Sequence, residues 1–368
     1  MTKVIISGGG TGGHIFPAVA IANALKRIDP AIEILFVGAN GRMEMEKVPA
    51  AGYTIIGLDI QGFQRKALWK NIMLPIKMLK SLLKARSIIK EFKPNVAVGV
   101  GGYASGPLLY AAGQMGIPYL IQEQNSYAGI TNKKLGTKAK KVCVAFDGMD
   151  KFFPSTSLML TGNPIRKQSV EIEGKREEAL ASFGLSAGKK TILVTGGSLG
   201  AGTLNKSMVA GLQKLIDQNI QLIWQTGKYY YSSIINQVGE RPDKNIVVLE
   251  FLNRMDYAYA AADLIISRAG AGTIAELYVV KKPVILVPSP NVAEDHQTKN
   301  AMALVNVNAA VLVKDVVAEE ELVEKAIELI NDSAKCTELS NNISKLALPD
   351  ADEVIAREVL KIAFEGYR

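Results

Sequence analysis

One stretch limits what this chain can fold into more than any other: Val4-Ile5-Ile6-Ser7-Gly8-Gly9-Gly10-Thr11-Gly12-Gly13-His14. A short apolar run enters a turn with five glycines in six positions, and a helical pattern follows. Residues without Cβ let the chain pass sharply from strand to helix and let another molecule approach the backbone. A tight turn needs only one or two glycines for its dihedrals, so five imply a second use. The N–H groups at a helix start favour an anion. The same device returns at 192–202 as ILVTGGSLGAG. Two strand–glycine turn–helix units predict two doubly wound α/β domains rather than one long sheet.

The rest of the pattern agrees. Short apolar runs alternate with amphipathic helices, as in parallel sheets covered on both faces. Strands are expected at Val4–Ser7, Ile32–Val37, Thr54–Leu58, Val96–Val100, Tyr119–Ile121 and Val142–Ala145. After the second glycine turn they are expected at Leu222–Gln225, Ile246–Leu249, Leu264–Ser267, Val284–Val287 and Ala310–Val313. Helices are expected at Pro17–Arg27 and from about Ile72 to Lys90. At 368 residues the chain exceeds the usual size of one core. Gly162 and Pro164 punctuate the pattern, which places one domain at 1–163 and a second at 164–349. A terminal helix, 350–368, is expected to pack back on the first domain.

Gly8, Gly10 and Gly13 satisfy G-x-G-x-x-G, but a dinucleotide site also needs an acid at the end of the second strand. Gly38-Ala39-Asn40 stands there instead, and Glu44 and Glu46 come too late in the chain. Other glycine turns follow, VGVGGYASGP and SRAGAGTIAEL. In the latter, N–H groups near Thr273 can take a phosphate and Glu276 can accept from two ribose hydroxyls. The pair also fits a helix capping box, S/T-x-x-E, and the two readings stand level. His296, Gln297 and Asn300 follow a later strand, with groups suited to sugar hydroxyls. The one D-x-D string, Asp350-Ala351-Asp352, opens the last helix and reads as helix capping rather than a metal site. Cys143 and Cys336 lie far apart and read as reduced thiols.

Charge is uneven within a net +8. From Arg65 to Lys93 nine basic residues face one acid, Glu91. KALWKNIMLPIKMLKSLLKARS mixes Leu68, Trp69, Met73 and Leu74 with Lys70 and Lys77, a combination suited to anionic lipid. Ile72, Ile76, Leu79 and Leu83 recur at helical spacing and are expected to form a buried face, leaving a lipid-facing edge beside it. The stretch lacks the aromatics and motifs of a nucleic-acid site. No signal peptide or membrane-spanning run is apparent, so the chain is expected to stay in the cytoplasm.

Taken in order, GGGTGGHIFPA, GGYASGP, QEQNSYAGITNK, TGNPIR, GGSLGAGTLN, RAGAGTIAE and EDHQTKNA resemble the motifs of the MurG family, from residue 3 to about residue 302. These are peripheral membrane N-acetylglucosaminyltransferases of peptidoglycan synthesis, in glycosyltransferase family 28. The resemblance implies a GT-B fold, two doubly wound Rossmann-like domains with a cleft between them. It implies inverting transfer of GlcNAc from UDP-GlcNAc to the muramoyl 4-hydroxyl of lipid I, giving lipid II at the cytoplasmic face of the inner membrane. No cofactor is obligatory, and a divalent cation is at most a stimulant. Implied partners are UDP-GlcNAc, lipid I, an anionic membrane surface and other cell-wall synthesis proteins. Donor contacts fall to Thr11, Gly12, Gly13, Asn125, Arg166, Ser198, Ala271, Thr273, Glu276, Gln297 and Asn300. Acceptor contacts fall to Gly10, His14, Tyr103, Ser105 and Asn125. His14 is the leading base and Glu123 the alternative. Rivals on the same fold are a diacylglycerol glycosyltransferase and a UDP-GlcNAc 2-epimerase. A binding-only nucleotide-sugar protein is the rival outside the enzymes.

Overall fold

The computed structural model describes residues 1–60, 74–197 and 199–365. The chain divides into two compact units, Met1–Ile165 with Leu348–Arg368, and Arg166–Ala347.

The first unit holds a parallel sheet of β1 (Lys3–Gly8), β2 (Glu33–Ala39), β3 (Thr54–Leu58), β4 (Val96–Gly101), β5 (Tyr119–Glu123), β6 (Lys141–Val144) and β7 (Leu158–Leu160). Their order is 3-2-1-4-5-6-7. Successive side chains of a strand enter opposite cores. Ile5, Val37, Ala97 and Ile121 pack on one face, and Val4, Ile6, Phe36, Val98 and Leu120 on the other. That is why these strands read as unbroken apolar runs. β7 was not anticipated. It is a three-residue edge strand, Leu158-Met159-Leu160, with no fully buried side chain, and its apolar run is too short to stand out as a strand.

The second unit repeats the plan with β8 (Thr191–Thr195), β9 (Gln221–Gln225), β10 (Ile246–Leu249), β11 (Leu264–Ser267), β12 (Val284–Leu286) and β13 (Val311–Leu312). The order is 10-9-8-11-12-13. In each sheet the first strand lies beside the fourth, β1 by β4 and β8 by β11. The winding reverses there, and a crevice opens at the carboxyl ends of the two strands.

Two helices differ from expectation. The first runs Gly12–Ile28, so it begins inside the glycine turn and Pro17 lies within it. Reading proline as a helix start placed that boundary too late. The helix Leu74–Phe92 buries Ser81, Ala85, Ile88 and Ile89. Ile76, Leu79 and Leu83, expected to be buried, are instead 48%, 58% and 54% exposed. Their helical spacing is real, but periodicity identifies a stripe without saying which stripe meets the sheet.

The helix Ala351–Glu365 belongs to the first unit and packs on Gly12–Ile28. Ile355, Ala356, Val359, Ile362 and Ala363 join the core around Ile15, Ile21 and Leu25. Asp352 accepts from Arg27 Nη2 at 2.6 Å.

Candidate active site

In the first unit two glycine turns lie side by side. Gly8 is in register with Gly101, and Gly9 N–H donates to Gly101 O at 3.2 Å. A Cβ on Gly102, at φ +92°, would lie 2.3 Å from Gly9 O. The contact therefore needs glycine twice over, for its space and for its left-handed backbone. The imidazole of His14 packs on Gly101, where a Cβ would stand 2.5 Å from its Cδ2. His14 Nδ1 lies 3.1 Å from Gly9 O and 3.2 Å from Thr11 Oγ1. A carbonyl oxygen can only accept, so a hydrogen bond to Gly9 O requires the proton on Nδ1, the tautomer in which Nε2 is the basic nitrogen. Tyr103 is 44% exposed and its ring faces Gly10. Thr11 and Gly13 are exposed and Gly12 half-buried at the helix start.

Glu44 makes a contact that its place in the chain does not suggest. Although it comes late in the chain, the helix Glu44–Ala50 returns it to the turn. Its carboxylate is 1% exposed and accepts from Gly10 N–H at 2.8 Å and Ala39 N–H at 3.0 Å. The Gly10 N–H is therefore not offered to a ligand. Among the described residues the N–H groups of Gly12 and Gly13 have no backbone partner, as is usual at a helix start.

Glu123 is 3% exposed, and its carboxylate is engaged on both oxygens. Oε1 accepts from Asn125 N–H at 3.1 Å and Asn125 Nδ2 at 3.4 Å. Oε2 accepts from Gly129 N–H at 3.2 Å and Asn132 Nδ2 at 2.8 Å. Those bonds hold the loop that carries Asn125, itself half-buried, and leave no lone pair aimed at a substrate. Glu123 therefore has a structural role in this loop whether or not it also serves as the alternative base. The Ser105 Oγ is buried and, among the described residues, has no hydrogen-bond partner.

In the second unit the helix Ala271–Val280 starts at the end of β11. Its N-cap is Gly270, with no side-chain cap, so the capping box of Thr273 and Glu276 is not formed. Thr273 lies in the first turn with Ala271, both half-buried. Glu276 Oε2 accepts from the hydroxyl of Tyr259 at 2.9 Å. Burial pushes the Glu276 carboxyl up, while the Tyr259 hydrogen bond and the charge of Arg166 oppose the shift. Burial, and then Glu276, push the Tyr259 phenol well above its ordinary value. Arg166, Tyr259 and Glu276 thus form one electrostatic group, and Arg166 is exposed.

Gln297 Oε1 accepts from Ser289 N–H at 2.8 Å and so shapes its own loop. Asn300 is fully buried and donates to Ala269 O at 3.4 Å. It supports the Ala269–Thr273 turn from beneath. Ser198, Leu68, Trp69, Lys70 and Met73 lie outside the described residues. Leu74 and Lys77 are half-buried at the start of their helix. Lys77 also lines a polar cavity of about 300 Å³ with Asn40, Gly41, Arg42, Asp59 and Ile60.

Sequence reasoning missed three residues that organise these turns. Glu44 and Tyr259 carry no local signal, because their partners are remote in the chain. Arg268 does have one, an arginine directly after a strand. Its Nη1 donates to Val287 O at 3.0 Å and to Asp315, which also accepts from Thr203 Oγ1 at 3.0 Å. It ties the ends of β11 and β12 to the helix Gly202–Asp217.

The glycosyltransferase family 28 N-terminal domain matches residues 4–144, and the family 28 C-terminal domain matches residues 191–355. A UDP-N-acetylglucosamine--N-acetylmuramyl-(pentapeptide) pyrophosphoryl-undecaprenol N-acetylglucosamine transferase of Bacteroides fragilis is 60% identical over 365 residues, 98% of this chain and 96% of the relative. The protein of the same name from Bacteroides thetaiotaomicron is 59% identical over 365 residues, 98% of each. The crystal structure of Acinetobacter baumannii MurG matches at a TM-score of 0.80 and 30% identity, over 98% of this chain and 100% of that one. With both halves matched and relatives this similar along nearly the whole length, the chain belongs to glycosyltransferase family 28.

Proposed function

We infer that this chain transfers N-acetylglucosamine from UDP-N-acetylglucosamine to the muramoyl 4-hydroxyl of undecaprenyl-linked lipid I, giving lipid II and UDP with inversion. The observation that carries this reading is the 60% identity to a transferase of that name over 98% of the chain. The same observation disfavours the epimerase and the diacylglycerol transferase, which share the fold but not this likeness.

Inverting transfer needs a base for the acceptor hydroxyl and a stabiliser for departing UDP. His14 suits the first role, since hydrogen bonding to Gly9 O leaves Nε2 as its basic nitrogen. The start of the helix Ala271–Val280, with Thr273, suits the second, with Arg166 as a nearby positive charge. Glu276 suits a diol such as ribose, because a carboxylate accepts from two hydroxyls at once. Beside the first turn, Arg42 and Lys77 give the polar cavity a positive lining suited to an anionic part of the acceptor. No cofactor is required in this reading, and a divalent cation acts only as a stimulant.

The acceptor is a lipid, so the enzyme must reach a membrane. Among the described residues no helix is long and apolar enough to cross one. The exposed stripe of Ile76, Leu79 and Leu83, flanked by exposed Lys80 and Lys84, supports peripheral binding to anionic lipid at the cytoplasmic face. The deciding assay supplies radiolabelled UDP-GlcNAc and a lipid I analogue and scores β-linked disaccharide. Transfer to diacylglycerol instead, or release of free sugar alone, would reject the reading.

A further inference from the structure

We propose that Glu44 positions the imidazole of His14 through the Gly9–Gly10 peptide group. Both ends of that one peptide are engaged. Its carbonyl, Gly9 O, lies 3.1 Å from His14 Nδ1. Its N–H, on Gly10, donates to Glu44 Oε2 at 2.8 Å. A trans peptide is planar, with N–H and C=O on opposite sides. Carboxylate, peptide and imidazole therefore form a single hydrogen-bonded chain. Bonds in such a chain polarise one another. The negative charge at the N–H enriches the carbonyl oxygen, which then accepts more strongly from Nδ1–H. A carboxylate bonded directly to an imidazole Nδ1–H fixes the tautomer and favours the protonated ring. Here the same influence is relayed across one peptide group.

The arrangement is built into the fold. The Glu44 side chain is buried, and its other oxygen is fixed by Ala39 N–H at 3.0 Å. Room for it exists because two strand ends carry glycine: a Cβ on Gly9 would lie 2.2 Å from Oε1, and one on Gly38 2.6 Å from Cγ. Around the imidazole, Thr11 Oγ1 shares Nδ1 and Gly101 lies against the ring. Among the described residues, Tyr103 and Arg42 are further titratable and charged groups at this turn, with the Arg42 guanidinium 5.7 Å from the Tyr103 ring. The test therefore removes the Glu44 charge alone and leaves Arg42 and Tyr103 in place.

The kinetic consequence rests on His14 as the base; the positioning does not. The chain has only two histidines, so ¹⁵N-histidine spectra of the full protein resolve His14, with His14→Ala giving the assignment. In wild type the neutral ring is expected as the Nδ1–H tautomer. In Glu44→Gln its pKa should fall by about half a unit or more. The low-pH limb of the kcat/KM profile should move down with it, and kcat should fall about tenfold while KM for UDP-GlcNAc is unchanged. A neutral Nε2–H tautomer in wild type overturns the proposal without any variant. So does a folded Glu44→Gln protein with the His14 tautomer and pKa unchanged, even if its Tm drops. If His14 responds to Glu44→Gln but His14→Ala keeps its turnover, the base assignment fails and the positioning stands.

Discussion

Glu276 carries two demands that conflict. To accept from both hydroxyls of a diol, one on each oxygen, it is best ionised, yet burial pushes its pKa up from the ordinary carboxylate value. A raised folded pKa means that ionised Glu276 lowers stability at pH above that pKa, and the loss is relieved as pH falls through it. Glu276→Gln is therefore expected to raise the Tm of the ligand-free protein slightly at pH 8, read by scanning calorimetry, while weakening UDP binding about tenfold. In wild type, UDP affinity by titration calorimetry should decline as pH drops through a window starting above the usual carboxylate range. Glu276→Gln should lack that decline. Equal pH dependence in both proteins would remove Glu276 from the donor site. His14 gives a second expectation at this scale. His14→Ala should lower turnover by at least about a hundredfold with UDP affinity unchanged; near-normal turnover would exclude it as the base.

At the scale of elements, the helix Leu74–Phe92 is divided along its length. Its later turns sit on the sheet through Ala85, Ile88 and Ile89, and its early turns expose an apolar stripe beside lysines. Replacing Ile76 and Leu79 by serine should therefore leave Tm within about 1 °C, since neither is in the core. The same change should reduce co-sedimentation with anionic vesicles several-fold. A large drop in Tm would mean the stripe is packed, and unchanged sedimentation would remove it from membrane binding. The element existed in the sequence as periodicity, but the choice of buried stripe did not. The two strand–glycine turn–helix junctions were legible as units, because strand and turn are encoded locally, although the first helix begins at Gly12, before the expected Pro17. Capping at Ala271–Val280 was not: Thr273 and Glu276 have the right spacing, and a remote hydroxyl, that of Tyr259, takes Glu276 instead.

Across the whole molecule, the first unit depends on the far end of the chain. The helix Ala351–Glu365 completes the core over Gly12–Ile28, the helix that carries His14. Ile355→Ala, at a fully buried position, should destabilise the first unit by about 2–5 kcal/mol, read as a shifted urea midpoint for that unit's transition. A change below about 0.5 kcal/mol would mean the helix is not part of that core. The sequence by itself determined the strand and helix pattern, both glycine turns and the ordered motifs of the family. These depend on neighbours within a few residues, where steric freedom and hydrophobic period decide the outcome. Tertiary structure alone decided that Glu44 reaches Gly10, that Tyr259 holds Glu276, that Glu123 is committed to its own loop, and that Ile76 faces outward. Each of those is a contact or a face set by packing between segments remote in the chain, and no local spacing encodes it.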